Sequence, residues 1–298
     1  MCDRPKIQTN GRPVTRDGGR SAIGFDPRGP DRPDTREARA VIRGAVLDLD
    51  GTVYRGDAAL PGAAETVATL RERGVSVLFC SNNPTKTPAE YVDRLAGIGI
   101  EVDESMVLPA STVTRDYLRD HHPEAPTYLV GAPSLASYLA DAGQPIVEDP
   151  RAASVFVASW DDQFGYDTMA DALAAIDDDT VFLGTDPDRT IPAEDGLAPG
   201  SGAVINAVAG TVGREPDRVL GKPSAEAAEE ALDRLGVPAG ECLVVGDRLD
   251  TDLAMGAAHG MTTALVLTGV ADRDDVADSD VDPDYVVDSI AEIPQLLE

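Results

Sequence analysis

Five short apolar runs constrain this chain more than any single motif does. GAVLD from Gly44, VSVLFC from Val75, ECLVVGD from Glu241, TTALVLTG from Thr262 and YVV from Tyr285 contain almost no internal polar residue. A strand with one face in water shows a polar side chain at every second position, so near-continuous runs belong in a parallel sheet buried on both faces. Amphipathic segments lie between them. Ala63, Val67 and Leu70 share one face of a helix over 63–73 that Gly74 stops. Thr87-Pro88-Ala89-Glu90 has the form of a capping box with proline at the first helical position. Ser224 caps a helix whose stripe is Ala228, Ala231, Leu232 and Leu235, ending at Gly236. This alternation predicts an α/β fold with a doubly wound, Rossmann-like parallel sheet and a site at the carboxyl ends of its strands.

The middle of the chain has an alternation of its own: TYLVG at 127–131, SVFVAS at 154–159, a helical pattern over 166–176 and TVFLG at 180–184. Because it falls between two parts of the first sheet, it predicts an inserted α/β domain over 124–215, with core segments at 44–123 and 216–298. Residues 1–43 carry more basic than acidic side chains, together with scattered proline and glycine, and show neither periodicity. They are expected to be disordered.

The overall charge excludes several function classes. Fifty-three Asp and Glu against 25 Lys and Arg leave a formal net charge of −28. Such a surface repels nucleic acid and anionic membranes, so neither is expected as a partner. Adaptation to a saline cytosol is the expected reason for the excess of carboxylates, with an unusually acidic mesophilic protein as the alternative. No apolar run reaches the roughly 20 residues that span a bilayer, and the start of the chain lacks the apolar stretch of a secretion signal. A cytoplasmic location follows as the expectation. Cys2, Cys80 and Cys242 show no paired spacing and suit a reducing compartment better than a disulfide frame or a zinc site.

The strand ends are where chemistry enters. Asp48 and Asp50 flank Leu49 at the end of the first apolar run, and side chains two apart in a strand point the same way. Like charges so close need a proton or a cation between them. Ser81-Asn82 follows the second run, Gly221-Lys222-Pro223 precedes a helix, and Asp247-Arg248-Leu249-Asp250-Thr251-Asp252 follows ECLVVG. Each has an ordinary alternative. A calcium loop would need glycine at its sixth position and glutamate at its twelfth, but Gly51 is fourth and Ala59 twelfth. Ser81-Asn82 alone suits a turn, a lone lysine suits solvated surface, and GDRLDTD suits an acidic loop. Together they supply a nucleophilic carboxylate, a second acid, hydroxyl and amide donors, a cation and acids able to hold a metal. That set suits phosphoryl transfer, in which catalysis is mostly positioning and charge neutralisation. His121, His122 and His259 stand apart from these ends and are not catalytic candidates. Trp160 and Phe164 either pack the insert or line the substrate mouth.

With DLDGT at 48–52, the serine of CSNN at 81, the lysine of GKPS at 222 and GDRLDTD at 246–252, the chain resembles the haloacid dehalogenase superfamily of phosphatases. More narrowly, SNNPTKTPAEY at 81–91, TDPDRTIPAEDGLAPGSGA at 185–203 and GKPSAE at 221–226 are similar to its NagD-like, p-nitrophenylphosphatase and phosphoglycolate phosphatase branch. The resemblance implies that Asp48 is the nucleophile, Asp50 the general acid and base, and Lys222 the cation that orients Asp48. It implies Mg2+ held by Asp48, the Asp50 carbonyl and Asp247, with Asp252 supporting. It also implies substrate contacts at Thr52, Ser81 and Asn82, and at Asp186 and Ile191 in the insert, which serves as a cap. Many relatives have asparagine where Asp186 stands, and the branch varies at Pro84 and Ile191. The expected activity is hydrolysis of a small phosphomonoester such as a sugar phosphate, phosphoglycolate, glycerol phosphate or nucleotide monophosphate. A phosphotransferase or phosphomutase would share the aspartyl-phosphate, and a non-catalytic phospho-aspartate module would lack Asp50 and the insert. A homodimer stays an open expectation.

Overall fold

The computed structural model describes residues 41–193 and 196–297. The segment expected to be disordered therefore lies outside the described residues, apart from 41–43. Arg43 already belongs to the fold: its amide donates to the Glu241 carbonyl at 2.8 Å and its guanidinium pairs with the Glu241 carboxylate at 3.1 Å. This sets the register of the first strand.

Six parallel strands form the main sheet, in the order Tyr285–Val287, Thr262–Val266, Cys242–Gly246, Gly44–Asp48, Ser76–Ser81, Val107–Pro109. The described chain starts in the middle, with Val46 opposite both Leu78 and Val244. It winds outward to Val107–Pro109, leaves the sheet, and returns on the other side of its first strand. The direction of winding reverses between Gly44–Asp48 and Cys242–Gly246, and their carboxyl ends face a crevice. Alternation decides the layers. Ala45 and Leu47 pack with Val67, Leu70, Tyr91 and Leu95 on one face; Val46 packs with Leu78, Ala228, Ala231 and Leu235 on the other.

A second parallel sheet has the order Arg218–Val219, Val181–Gly184, Val155–Ala158, Thr127–Val130. Arg218–Val219 pairs with Leu183 and Gly184. Val155, Val157 and Leu183 belong to the same apolar cluster as Val46 and Leu78, and packing is continuous from one sheet to the other. The opposite face holds Phe156, Phe182, Ile205 and Val208, with Phe164 packed against them.

The expected helix ends are present. Thr87 accepts from the Glu90 amide while its own amide donates to the Glu90 carboxylate, and Ser224 Oγ accepts from the Ala227 amide at 3.1 Å. Two antiparallel hairpins were not expected: Tyr54–Arg55 with Ala58–Ala59, and Thr190–Ala193 with Gly196–Pro199. Their strands have two and four residues, too short to show a period in the sequence. Among the described residues no helix is long and apolar enough to cross a membrane.

Candidate active site

Asp48 ends the central strand, and its carboxylate is buried at the floor of a cavity of about 980 Å³. Lys222 reaches it from the start of the helix Ala225–Leu235, through a cis Lys222–Pro223 bond. The Lys222 Nζ donates to Asp48 Oδ1 and Asp252 Oδ1, both at 2.6 Å, and to the Cys80 carbonyl at 3.0 Å. All three donor positions of the ammonium are used. Burial by itself would drive the proton off Lys222, but the carboxylates of Asp252 and Asp48 outweigh it and hold its pKa well above the usual value.

Asp247 and Asp252 come from the loop after Cys242–Gly246, where Leu249–Leu253 winds as a π-helical turn. The wider turn swings Asp252 back under the strand ends. Asp48, Asp247 and Asp252 each offer an oxygen within 4.8 Å of the others. Three acids against one ammonium are undercompensated, and their proton affinities show it. Burial, with repulsion from Asp48 and Asp252, pushes Asp247 up to about 8. Burial pushes Asp252 up to about 6 despite Lys222, and Asp48 is raised by burial against the same ammonium. Asp252 Oδ2 is buried without a hydrogen-bond partner. Gly51 and Gly269 make this crowding possible, because a Cβ at either would collide with the Asp247 carboxylate.

Asp50 stands at the mouth of the cavity rather than on its floor and keeps an exposed edge. Partial desolvation raises its pKa, opposed by the Arg94 guanidinium. Ser81 lines the cavity, its hydroxyl 3.1 Å from that of Tyr91 and accepting from the Asn83 amide. Ile191 also lines the cavity, on the hairpin above it.

Three expected substrate contacts take other positions. Thr52 does not line the cavity; it is fully buried behind Asp48 and its hydroxyl donates to Asp48 Oδ2 at 3.2 Å. Asn82 lines the cavity, but its side-chain amide donates to the Lys222 carbonyl at 3.0 Å and to Asp188 Oδ1 at 3.3 Å, which occupies both its hydrogens. Asp186 is buried away from the cavity, where its Oδ1 accepts from the Asp188 amide and its Oδ2 from Thr185. The residue of that loop which does line the cavity is Asp188.

Sequence reasoning also passed over Arg55, Arg94 and Arg248, which line the cavity. Arg248 sits inside GDRLDTD, next to Asp247, and could have been found there. Arg94 stacks 3.9 Å above the Tyr54 ring and donates to the Gly56 carbonyl, fixing the turn of the first hairpin. Nothing in the sequence separates it from a solvated helix arginine.

Comparison with known proteins agrees with this geometry. The haloacid dehalogenase-like hydrolase family matches residues 45–144, and a second HAD-hydrolase-like family matches 219–293. The sugar-phosphatase AraL of Bacillus subtilis is 35% identical over 255 residues, covering 86% of this chain and 93% of that protein. An acid sugar phosphatase of Staphylococcus aureus is 35% identical over 240 residues, covering 80% and 92%. Among solved structures, p-nitrophenyl phosphatase from Archaeoglobus fulgidus superposes with a TM-score of 0.81 at 36% identity, covering 86% of this chain and 99% of that one. NagD from E. coli K-12 gives 0.77 at 28% identity, covering 85% and 98%.

Proposed function

Because the chain belongs to the haloacid dehalogenase-like hydrolases, in their NagD-like branch of phosphoric monoester hydrolases, we propose that it is a magnesium-dependent phosphatase of small phosphomonoesters working through a phosphorylated Asp48. Sugar phosphates lead the substrate class, since two relatives are named for them. Phosphoglycolate, glycerol phosphate and nucleotide monophosphates fit the same cavity chemistry. The second sheet and its hairpin act as the cap.

Lys222 carries this proposal. Its ammonium lies 2.6 Å from both Asp48 and Asp252 at the cavity floor, where it opposes the burial that favours a proton on Asp48 and holds that carboxylate in place. Thr52 fixes the other carboxylate oxygen. Asp48 attacks phosphorus, the phosphorus–oxygen bond to the leaving group breaks, and the electron pair departs with that oxygen. Asp50, at the mouth on the leaving-group side and biased toward its protonated form, gives the proton. Water then attacks the phosphorus, Asp50 takes the water's proton, and inorganic phosphate leaves with the Asp48 carboxylate restored. One hard displacement becomes two easier ones. Ser81, which lines the cavity, faces the phosphoryl oxygens.

The residues present fit a divalent cation. Three buried acids share one ammonium, and the unpartnered Asp252 Oδ2 is the kind of hard oxygen that magnesium accepts. Asp48, Asp247 and the Asp50 carbonyl would hold it, with Asp252 alongside. Bound there, magnesium supplies positive charge against the phosphoryl oxygens.

Turnover of a panel of phosphate esters with magnesium tests the reading. Asp48→Asn should abolish turnover, and rapid quench with intact-mass measurement should find an added phosphoryl group on the unsubstituted enzyme alone. Full activity without Asp48 would overturn the mechanism.

A further inference from the structure

The hairpin formed by Thr190–Ala193 and Gly196–Pro199 hangs over the cavity with little to hold it. Ile191 and Leu197 line the cavity from this hairpin, yet Leu197 remains 74% exposed. A two-stranded ribbon of four-residue strands is marginal in water without further anchoring. Its base is tied to the second sheet's own helix by main-chain bonds: Gly202 N donates to the Asp188 carbonyl at 2.8 Å and Gly200 N to the Arg189 carbonyl at 2.9 Å. The Asp186 carboxylate accepts from the Asp188 amide at 3.2 Å. The Asp188 side chain turns the other way, toward the main sheet. Its Oδ1 accepts from Asn82 Nδ2 at 3.3 Å and lies 3.8 Å from Arg248 Nη2.

Those two partners follow the strands Ser76–Ser81 and Cys242–Gly246, which flank the strand of Asp48 on either side. Asn82 spends its second amide hydrogen on the Lys222 carbonyl at 3.0 Å. One carboxylate from the second sheet is thereby clipped to both neighbours of the nucleophile and, through Asn82, to the loop of Lys222. Arg248 also pairs with Asp250 at 3.2 Å, so its charge is not there for Asp188 alone. An acid facing a phosphate-binding floor would ordinarily be a liability, since it repels the substrate. Its partners here give it a different use.

We infer that Asp188 is a positioning residue for leaving-group selection: its clasp on Asn82 and Arg248 sets the height of the strands Thr190–Ala193 and Gly196–Pro199 above Asp48. The part of a substrate beyond its phosphoryl group meets Ile191 and Leu197 only while the clasp is closed. The clasp itself is independent of the phosphatase reading; its effect on substrates rests on that reading.

Two measurements on the full chain separate these. Hydrogen–deuterium exchange should show these two strands and the Gly200 and Gly202 amides exchanging about tenfold faster in Asp188→Ala, as expected when one charge-assisted hydrogen bond is lost. Asp188→Asn keeps an acceptor for Asn82 but no charge for Arg248, and should fall between the two. Unchanged hairpin exchange in Asp188→Ala would overturn the clasp. In the second measurement, Asp188→Ala should raise KM about tenfold for a sugar phosphate while leaving KM for methyl phosphate, too small to reach the hairpin, within about twofold. Equal rises on both esters would place Asp188 at the phosphoryl group and overturn the selective role. If Asp188→Ala does not fold, Arg248→Gln cuts the clasp from the main-sheet side, and the same two outcomes decide. A chain inactive on every ester whose hairpin still responds would sink the phosphatase reading and spare the clasp.

Discussion

At the carboxyl ends of Gly44–Asp48 and Cys242–Gly246 the main sheet buries Asp48, Asp247, Asp252 and Lys222 together, while at the ends of Val155–Ala158 and Val181–Gly184 the second sheet buries Ser159, Thr185 and Asp186. Both sheets are parallel and made of apolar runs, and both turn polar at the same end of their strands. The difference lies in how the polar groups are satisfied. In the second sheet Thr185 Oγ1 lies 2.9 Å from Ser159 Oγ and 3.0 Å from Asp186 Oδ2, so the three groups satisfy one another. In the main sheet three acids compete for one ammonium, and Asp252 Oδ2 is left without a partner. A polar cluster that completes its own hydrogen bonds is architecture; one that leaves buried charge unanswered is poised for a ligand.

If that contrast holds, substitutions at the main-sheet end should strike turnover, and those at the second-sheet end should leave it nearly unchanged. Among substitutions that leave the nucleophile in place, Asp50→Asn gives the largest expected effect. Its amide can neither donate the acid proton nor activate water, and turnover of an alkyl phosphate should fall by roughly 10² to 10⁴ with an unchanged melting temperature. On p-nitrophenyl phosphate, whose leaving group needs little acid help, phosphorylated Asp48 should accumulate and be visible by intact mass. A fall in melting temperature that tracks the lost activity would erase the contrast.

Lys222→Met should strike both properties. Removing one member of a buried ionic set leaves the others uncompensated, at a cost of about 3–5 kcal/mol. Without the ammonium, Asp48 and Asp252 hold their protons more tightly in the folded chain than in the unfolded one. The unfolded state then gains stability as pH rises and its acids ionise first. Denaturant unfolding should accordingly show the deficit of Lys222→Met growing between pH 5 and pH 8. A pH-independent deficit would mean that the lysine acts through packing alone.

Asp186→Asn gives the smallest effect and the sharpest contrast. Burial and the neighbouring Asp188 push the Asp186 carboxyl up to about 8, against an ordinary aspartate value near 3.9. Between those values the folded chain keeps a proton that the unfolded chain has lost, so this group's contribution to stability declines as pH rises from about 4 to 8. Asparagine carries no such titration. The variant should show a flatter stability profile over that window, be the more stable protein at pH 8, and keep turnover of methyl phosphate within about twofold. An activity loss comparable to that of Asp50→Asn would return Asp186 to the substrate. Near pH 7 the protonated Asp186 offers a donor and an acceptor much as an asparagine amide does.

What could be read from the chain alone follows from this. Asp48, Ser81, Lys222 and Asp247 were legible because each sits at the end of a continuous apolar run or the start of a capped helix, where a doubly wound sheet must gather its polar groups. Thr52, Asn82 and Asp186 were legible as participants but not in their roles. A hydroxyl that braces Asp48 and one that touches substrate look identical in a string of letters, as do an amide free to donate and one whose hydrogens are spent. Asp188 lay inside the quoted stretch at 185–203, but nothing there set it apart from the other acids of a chain of net charge −28.

The sequence by itself determined the two parallel sheets, the end of the first sheet at which chemistry collects, and the excess of acid there, because strand burial and helix capping are local and leave a periodic trace. The tertiary structure alone decided which donors remained free. Whether Asn82 faces a substrate or Asp188 depends on a hairpin more than 100 residues away along the chain, and hydrogen-bond partnership across such a separation leaves no period to read.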